Sequence, residues 1–176
     1  MPRLSPSARG ETTADRVMGH RPEVLEAWEN LRAALSGPSS TLPPQLKEEV
    51  RRTLAQQTGC RFCASLGQPS PDHATRRESL AVAFADAVGR DHTAISDAQV
   101  RVLFDEFTIP EIVELLVWIS FEYAGQLFGS LIADEPATEE EKHADEEEGE
   151  DLCSGLVAGG RLVQVVTHQG LALSEP

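Results

Sequence analysis

The chain has 176 residues and a mass of 19.1 kDa, the size of one domain with tails and enough to bury a core. Lys and Arg number 15 against 29 Asp and Glu, a formal charge of −14. That balance speaks against nucleic-acid binding, which neutralises phosphates with clustered cations, and against docking on anionic lipid.

The charge is uneven. Asp134 to Asp151 holds 11 acids and one base, Lys142, leaving 18 acids against 14 bases elsewhere. Such a stretch reads as solvated and self-repelling. Met1 to Arg16 lacks the apolar run of a secretory signal. The run Leu115–Phe121, between Glu114 and Glu122, is too short to span a bilayer. The expectation is a soluble cytoplasmic protein, where thiols stay reduced unless they are catalytic or redox-sensing.

Residues 1–15 read as a disordered leader, 16–133 as one helical domain, and 134–176 as an acidic tail of low order. Helical periodicity starts near Val17. Val24, Leu25, Trp28, Leu31 and Leu35 fall on one stripe, opened by Pro22 and closed by Gly37-Pro38. After the loop GPSSTLPP, Pro43-Pro44 open a second helix with Leu46, Val50 and Leu54 four apart; Thr58-Gly59 stop it. A short segment, CRFCASLG, follows. RRESLAVAFADAVGR is a helix with Leu80, Ala83, Phe84, Ala87 and Val88 inward. Ser96-Asp97 cap AQVRVLFDEF, with Val100, Leu103, Phe104 and Phe107 inward. Thr108 or Pro110 opens a long last helix to Ile132, apolar around most of its circumference, as a central or oligomer-interface helix is. No stretch of this core alternates as a strand does, so the fold class is all-α with about five or six helices. LVQVVT in the tail has strand character without an obvious partner.

Three cysteines are present: Cys60, Cys63 and Cys153. Cys60-Arg61-Phe62-Cys63 is a CxxC, which in a cytosolic protein points to redox or metal chemistry. A structural zinc site needs four ligands. His73 and His92 could complete a set, but their spacing matches no zinc-finger pattern, and Cys153 lies beyond the acidic run. The redox alternative needs less: two thiols at i and i+3 near a helix start, after Gly59, share a face and can close a disulfide. Helix N-terminal N–H groups there favour the thiolate, and Arg61 could add to that or point to solvent. Phe62 could shield the thiols.

LPPQLKEEVRRTLAQQTGCRFC resembles the alkylhydroperoxidase D and carboxymuconolactone decarboxylase family. In that family a glutamate precedes CxxC by a set distance, and a histidine follows four residues after the second cysteine. Glu48 stands twelve positions before Cys60, as the pattern requires. HRPEVLEAWENLRAAL, RESLAVAFADAV and ISDAQVRVLFDEFTIPEIVELLVWISF look like the flanking helices, so the resemblance covers about residues 17–133. It implies a thiol-dependent peroxidase and a homo-oligomer; no flavin, haem or nicotinamide motif is visible in the sequence, and no cofactor or metal is expected. Its substrate is a hydroperoxide and its reductant a protein or small-molecule dithiol. Cys63 matches the peroxidatic cysteine, Cys60 the resolving one, and Glu48 the distal carboxylate of a proton relay.

The family's histidine position is Gly67 here. His73, a water, or direct contact of Glu48 with a cysteine could stand in. Without a substitute, the protein is expected to be a redox-sensing or structural relative. A lyase reading would need acid/base residues that do not assemble from this sequence. Glu48 also has a plain alternative, an ion pair with Arg51 or Arg52 at i+3 or i+4. Trp28 and Trp118 read as core or interface anchors, and Cys153 as a free tail thiol.

Overall fold

A computed structural model describes residues 2–132, 135–139 and 142. Among them are seven α-helices: α1 (Thr13–Met18), α2 (Pro22–Ser36), α3 (Pro44–Ala55), α4 (Arg61–Ser65), α5 (Arg76–Asp91), α6 (Asp97–Leu103) and α7 (Ile109–Ile132). A 3₁₀ turn, His92–Ala94, joins α5 to α6. The described residues contain no strand, and five of the helices reach seven residues, so the protein is all-α. The tail segment LVQVVT lies outside the described residues, as do Cys153, His143 and His168.

Local chemistry starts these helices where they start. Proline opens α2 and α3, where its missing N–H costs no helical bond. Thr12 with Asp15, and Ser96 with Gln99, form reciprocal capping boxes on α1 and α6. Thr75 caps α5. Glu111 accepts from both the N–H and the hydroxyl of Thr108, each at 2.8 Å, and fixes the entry to α7.

α3 packs against α4, α5 and α7 and is central to the fold. Its Leu46, Val50 and Leu54 are buried as their spacing predicts. They meet Ala81, Phe84 and Ala85 of α5, then Leu103, Phe107, Ile112, Leu115, Trp118 and Ile119.

Three inward faces differ from the expectation. On α2 only Leu25 and Leu35 are buried and Trp28 is partly so; Val24 and Leu31 face out. The α5 face is rotated: Ala81 and Ala85 line the core, while Ala83 is exposed. Small residues let α5 approach α3 closely, and alanines offer sequence periodicity little contrast. Phe104 is 54% exposed. α6 stops at Leu103, and Phe104, Asp105 and Glu106 each donate to the carbonyl three residues back, which turns Phe104 off the buried face.

The start of the chain is also engaged with the fold. Arg3 N–H donates to Ile132 O at 2.8 Å, and Asp15 is buried against Arg32 at 3.1 Å.

A buried cation anchors the α2–α3 loop. Lys47 is 4% exposed. Its ammonium bonds to Leu35 O, Ser40 Oγ and the Glu114 carboxylate. Glu114 also accepts from the Thr41 N–H at 2.7 Å and the Thr41 hydroxyl at 2.6 Å. Desolvation would raise the Glu114 carboxyl, but Lys47 and the loop donors outweigh it and hold it down at about 2.

Candidate dithiol site

The turn into the site depends on Gly59, whose φ of +75° is a left-handed conformation that side chains disfavour. Cys60 follows as the N-cap of α4, its Sγ accepting the Cys63 N–H at 3.2 Å. Cys60 and Cys63 are joined as a disulfide with Cα atoms 5.3 Å apart. The two sulfurs are not equivalent. Cys60 is 1% exposed, while Cys63 is only partly buried.

The buried side of the disulfide rests on α7. A Cβ added at Gly129 would lie 2.7 Å from Cys60 Sγ and 3.9 Å from Cys63 Sγ. One turn earlier, buried Gln126 accepts from the Thr58 hydroxyl at 3.2 Å and donates to Arg51 O at 3.1 Å. Its amide also approaches Glu122 Oε2 at 3.5 Å. Glu122, Gln126 and Gly129 share one face of α7 at i, i+4 and i+7. Desolvation lifts the Glu122 carboxyl to about 7; Arg51 opposes the rise and the nearby Glu48 charge adds to it. In the sequence Glu122 stands only as the polar end of an apolar run. The available signal was two polar side chains on the face that the apolar pattern places inward.

Glu48 sits in a double ion pair. Arg51 donates to it twice, at 2.6 and 2.5 Å, and Arg52 Nε donates at 2.6 Å. Desolvation alone would raise the carboxyl, but the two guanidinium groups leave it below its ordinary value. A carboxylate so held is a weak proton acceptor.

Gly67 has a φ of +146°, and a Cβ built there would meet the Arg52 guanidinium at 3.1–3.5 Å. The space in front of residue 67 is therefore filled by Arg52, the residue that also holds Glu48. His73 lies in the loop before α5, and its Nδ1 is buried without a hydrogen-bond partner. Among the described residues no hydrogen bond joins His73 to Glu48 or to either cysteine. No cluster of three metal-ligating side chains occurs among the described residues.

No family model matches the chain, and neither a curated protein nor a solved structure matches it. The family resemblance therefore rests on the spacing of Glu48, Cys60 and Cys63 within an all-α chain, with Gly67 as its departure.

The segment after α7 crosses α4. Glu135 pairs with Arg61 at 2.8 Å on the surface. The Ala137 N–H donates to Ser65 Oγ at 2.7 Å, and Ala137 is buried. The α4 helix thus carries the disulfide on one side and this strap on another.

Proposed function

We propose that the protein is a thiol oxidoreductase working through a Cys60–Cys63 dithiol/disulfide cycle, with hydroperoxides as oxidant. The observation that carries the reading is the asymmetric pair: a closed CxxC disulfide with one cysteine sealed in the core and the other only partly buried. Cys63 is the cysteine an external molecule meets. In the reduced protein its thiolate attacks the terminal peroxide oxygen, releasing an alcohol and leaving a sulfenic acid. The Cys60 thiol then displaces hydroxide from that sulfur, giving water and the disulfide. An external dithiol restores both thiols and is itself oxidised to its disulfide.

A second reading, slow redox sensing, is favoured by the engagement of Glu48, the carboxylate that the resemblance assigns to the proton relay. Glu48 is bound to Arg51 and Arg52, and Arg52 occupies the space before Gly67. General-base help is worth about 10²–10⁴-fold where a proton must move.

One experiment tests both. The fully reduced protein is mixed with one equivalent of cumene hydroperoxide and followed by intact mass. The peroxidase reading expects rapid loss of two hydrogens, abolished in Cys63→Ser and halted at sulfenic acid in Cys60→Ser. Disulfide formation no faster than for a free thiol refutes it and leaves the sensing reading.

A further inference from the structure

α7 has its polarity inside out. Its three glutamates point into the fold: Glu111 bonds Arg77 at 2.6 Å, Glu114 holds Lys47, and Glu122 meets Gln126. Its solvent face is apolar. Ile109 is 65% exposed and Leu131 60%, with Val113, Leu116, Val117 and Leu127 exposed between them. Ser120 and Ala124 complete the row. At 100° per residue, positions 109, 113, 116, 120, 124, 127 and 131 fall within an arc of about 80°, in a stripe about 33 Å long. No charged residue interrupts it.

The spacing of this row runs 4, 3, 4, 4, 3, 4 and reads the same from either end, centred on Ser120. We propose that the stripe is an isologous two-fold interface, in which α7 of one copy lies antiparallel on α7 of a second copy with the two Ser120 residues at the axis. The arrangement sets Ile109 against the partner's Leu131, Val113 against the partner's Leu127, and Leu116 against the partner's Ala124. Next to the small central residue Leu116 meets the partner's Ala124, which lets the helices approach there, and the two outer pairs set aliphatic side chains against each other. The hydroxyl at the centre is already satisfied, because Ser120 Oγ donates to Leu116 O at 2.8 Å. Drying the stripe therefore strands no polar group there. Antiparallel pairing also sets each helix N-terminus beside the partner's C-terminus, the favourable dipole arrangement. The stripe offers roughly 600 Å² per copy, about 1,200 Å² in all, at the lower edge of specific interfaces and at the upper end of the apolar patches that monomers carry.

The length and apolarity of α7 would also suit a membrane span. Its other face, however, is committed to Lys47, Arg77 and the core. This inference is independent of the thiol chemistry.

The test uses the full chain with Cys153→Ser and the Cys60–Cys63 disulfide kept closed. Light scattering should give a particle of twice 19.1 kDa. Val113→Asp with Leu127→Asp should give a monomer of unchanged helicity, since both side chains are exposed. Under mild oxidation Ser120→Cys should cross-link into a covalent dimer. Val113→Cys alone should not, and Val113→Cys with Leu127→Cys should. A monomeric parent chain overturns the proposal, whether free or bound to neutral phosphatidylcholine vesicles. So does a dimer that survives the double aspartate variant, or one that cross-links at Val113→Cys but not at Ser120→Cys.

Discussion

Gly129→Ala reports directly on how the disulfide is seated. The new methyl group would stand 2.7 Å from Cys60 Sγ, inside any real contact distance. In the oxidised protein that sulfur is tied to Cys63 and cannot swing away, so overpacking costs about 1–3 kcal/mol. In the reduced protein Cys60 can move to another staggered rotamer, and the helix gains about 1 kcal/mol from replacing glycine with alanine. The substitution therefore penalises the disulfide relative to the dithiol by about 1–3 kcal/mol. For a two-electron couple this raises the reduction potential by about 20–60 mV. The assay equilibrates parent and variant with a series of glutathione ratios, traps thiols in acid and counts them by intact mass. Gly125→Ala is the control, because its added methyl would meet Trp28 at 3.1 Å rather than sulfur. An unchanged or lowered potential in Gly129→Ala, or an equal rise in Gly125→Ala, would refute the seating of Cys60 on α7.

Glu122 is held neutral by burial up to about pH 7, while its unfolded-state value is near 4.5. Folding thus retains a proton that the unfolded chain gives up, and stability falls as pH rises from about 4.5 to about 7. Glu122→Gln should remove that slope and gain about 1–3 kcal/mol at pH 8 in urea unfolding. Glu114 has the opposite sign. Its depressed carboxyl contributes fully above pH 4.5, and the contribution is lost as pH falls towards about 2. Glu114→Gln should flatten that acid limb and cost about 3 kcal/mol at neutral pH, because Lys47 is left buried without its carboxylate. Gly67→His alone should cost about 1–3 kcal/mol, from its φ of +146° and the crowding of Arg52, with no gain in oxidation rate. Combined with Arg52→Ala, which clears the space and frees one side of Glu48, it should speed Cys63 oxidation by about 10²-fold or more; no acceleration would sink the assignment of Arg52 as the blocking group.

The parts of this fold that could be read in advance share a property: large apolar side chains at helical spacing beside strong boundary residues. Leu46, Val50 and Leu54, opened by prolines, are buried as their pattern says. Where alanine carries the face, as in α5, the pattern has little amplitude and leaves the inward direction undetermined by a step. Phe104 faces out against its pattern because a local choice between α and 3₁₀ turns decides its direction, and hydrophobicity does not encode that choice. At the site, the CxxC and the pairing of Glu48 with neighbouring arginines were both legible from spacing. The roles of Glu122, Gln126 and Gly129 were not. They depend on α7 being laid across α4, a tertiary contact between residues more than sixty positions apart.

The docking of Glu135 and Ala137 on α4 anchors the start of the acidic run. Ala137 lies against the helix that carries Cys63, so the carboxylates that follow it in the sequence are tethered by their own peptide bonds to the proposed redox pair. For the external dithiol of the proposed cycle this acts as a filter on charge. An anionic reductant approaches through a repulsive ionic atmosphere, and a cationic one is enriched. Both effects shrink as added salt shortens the screening length. The ionic-strength dependence of disulfide reduction therefore carries the sign of the reductant's charge.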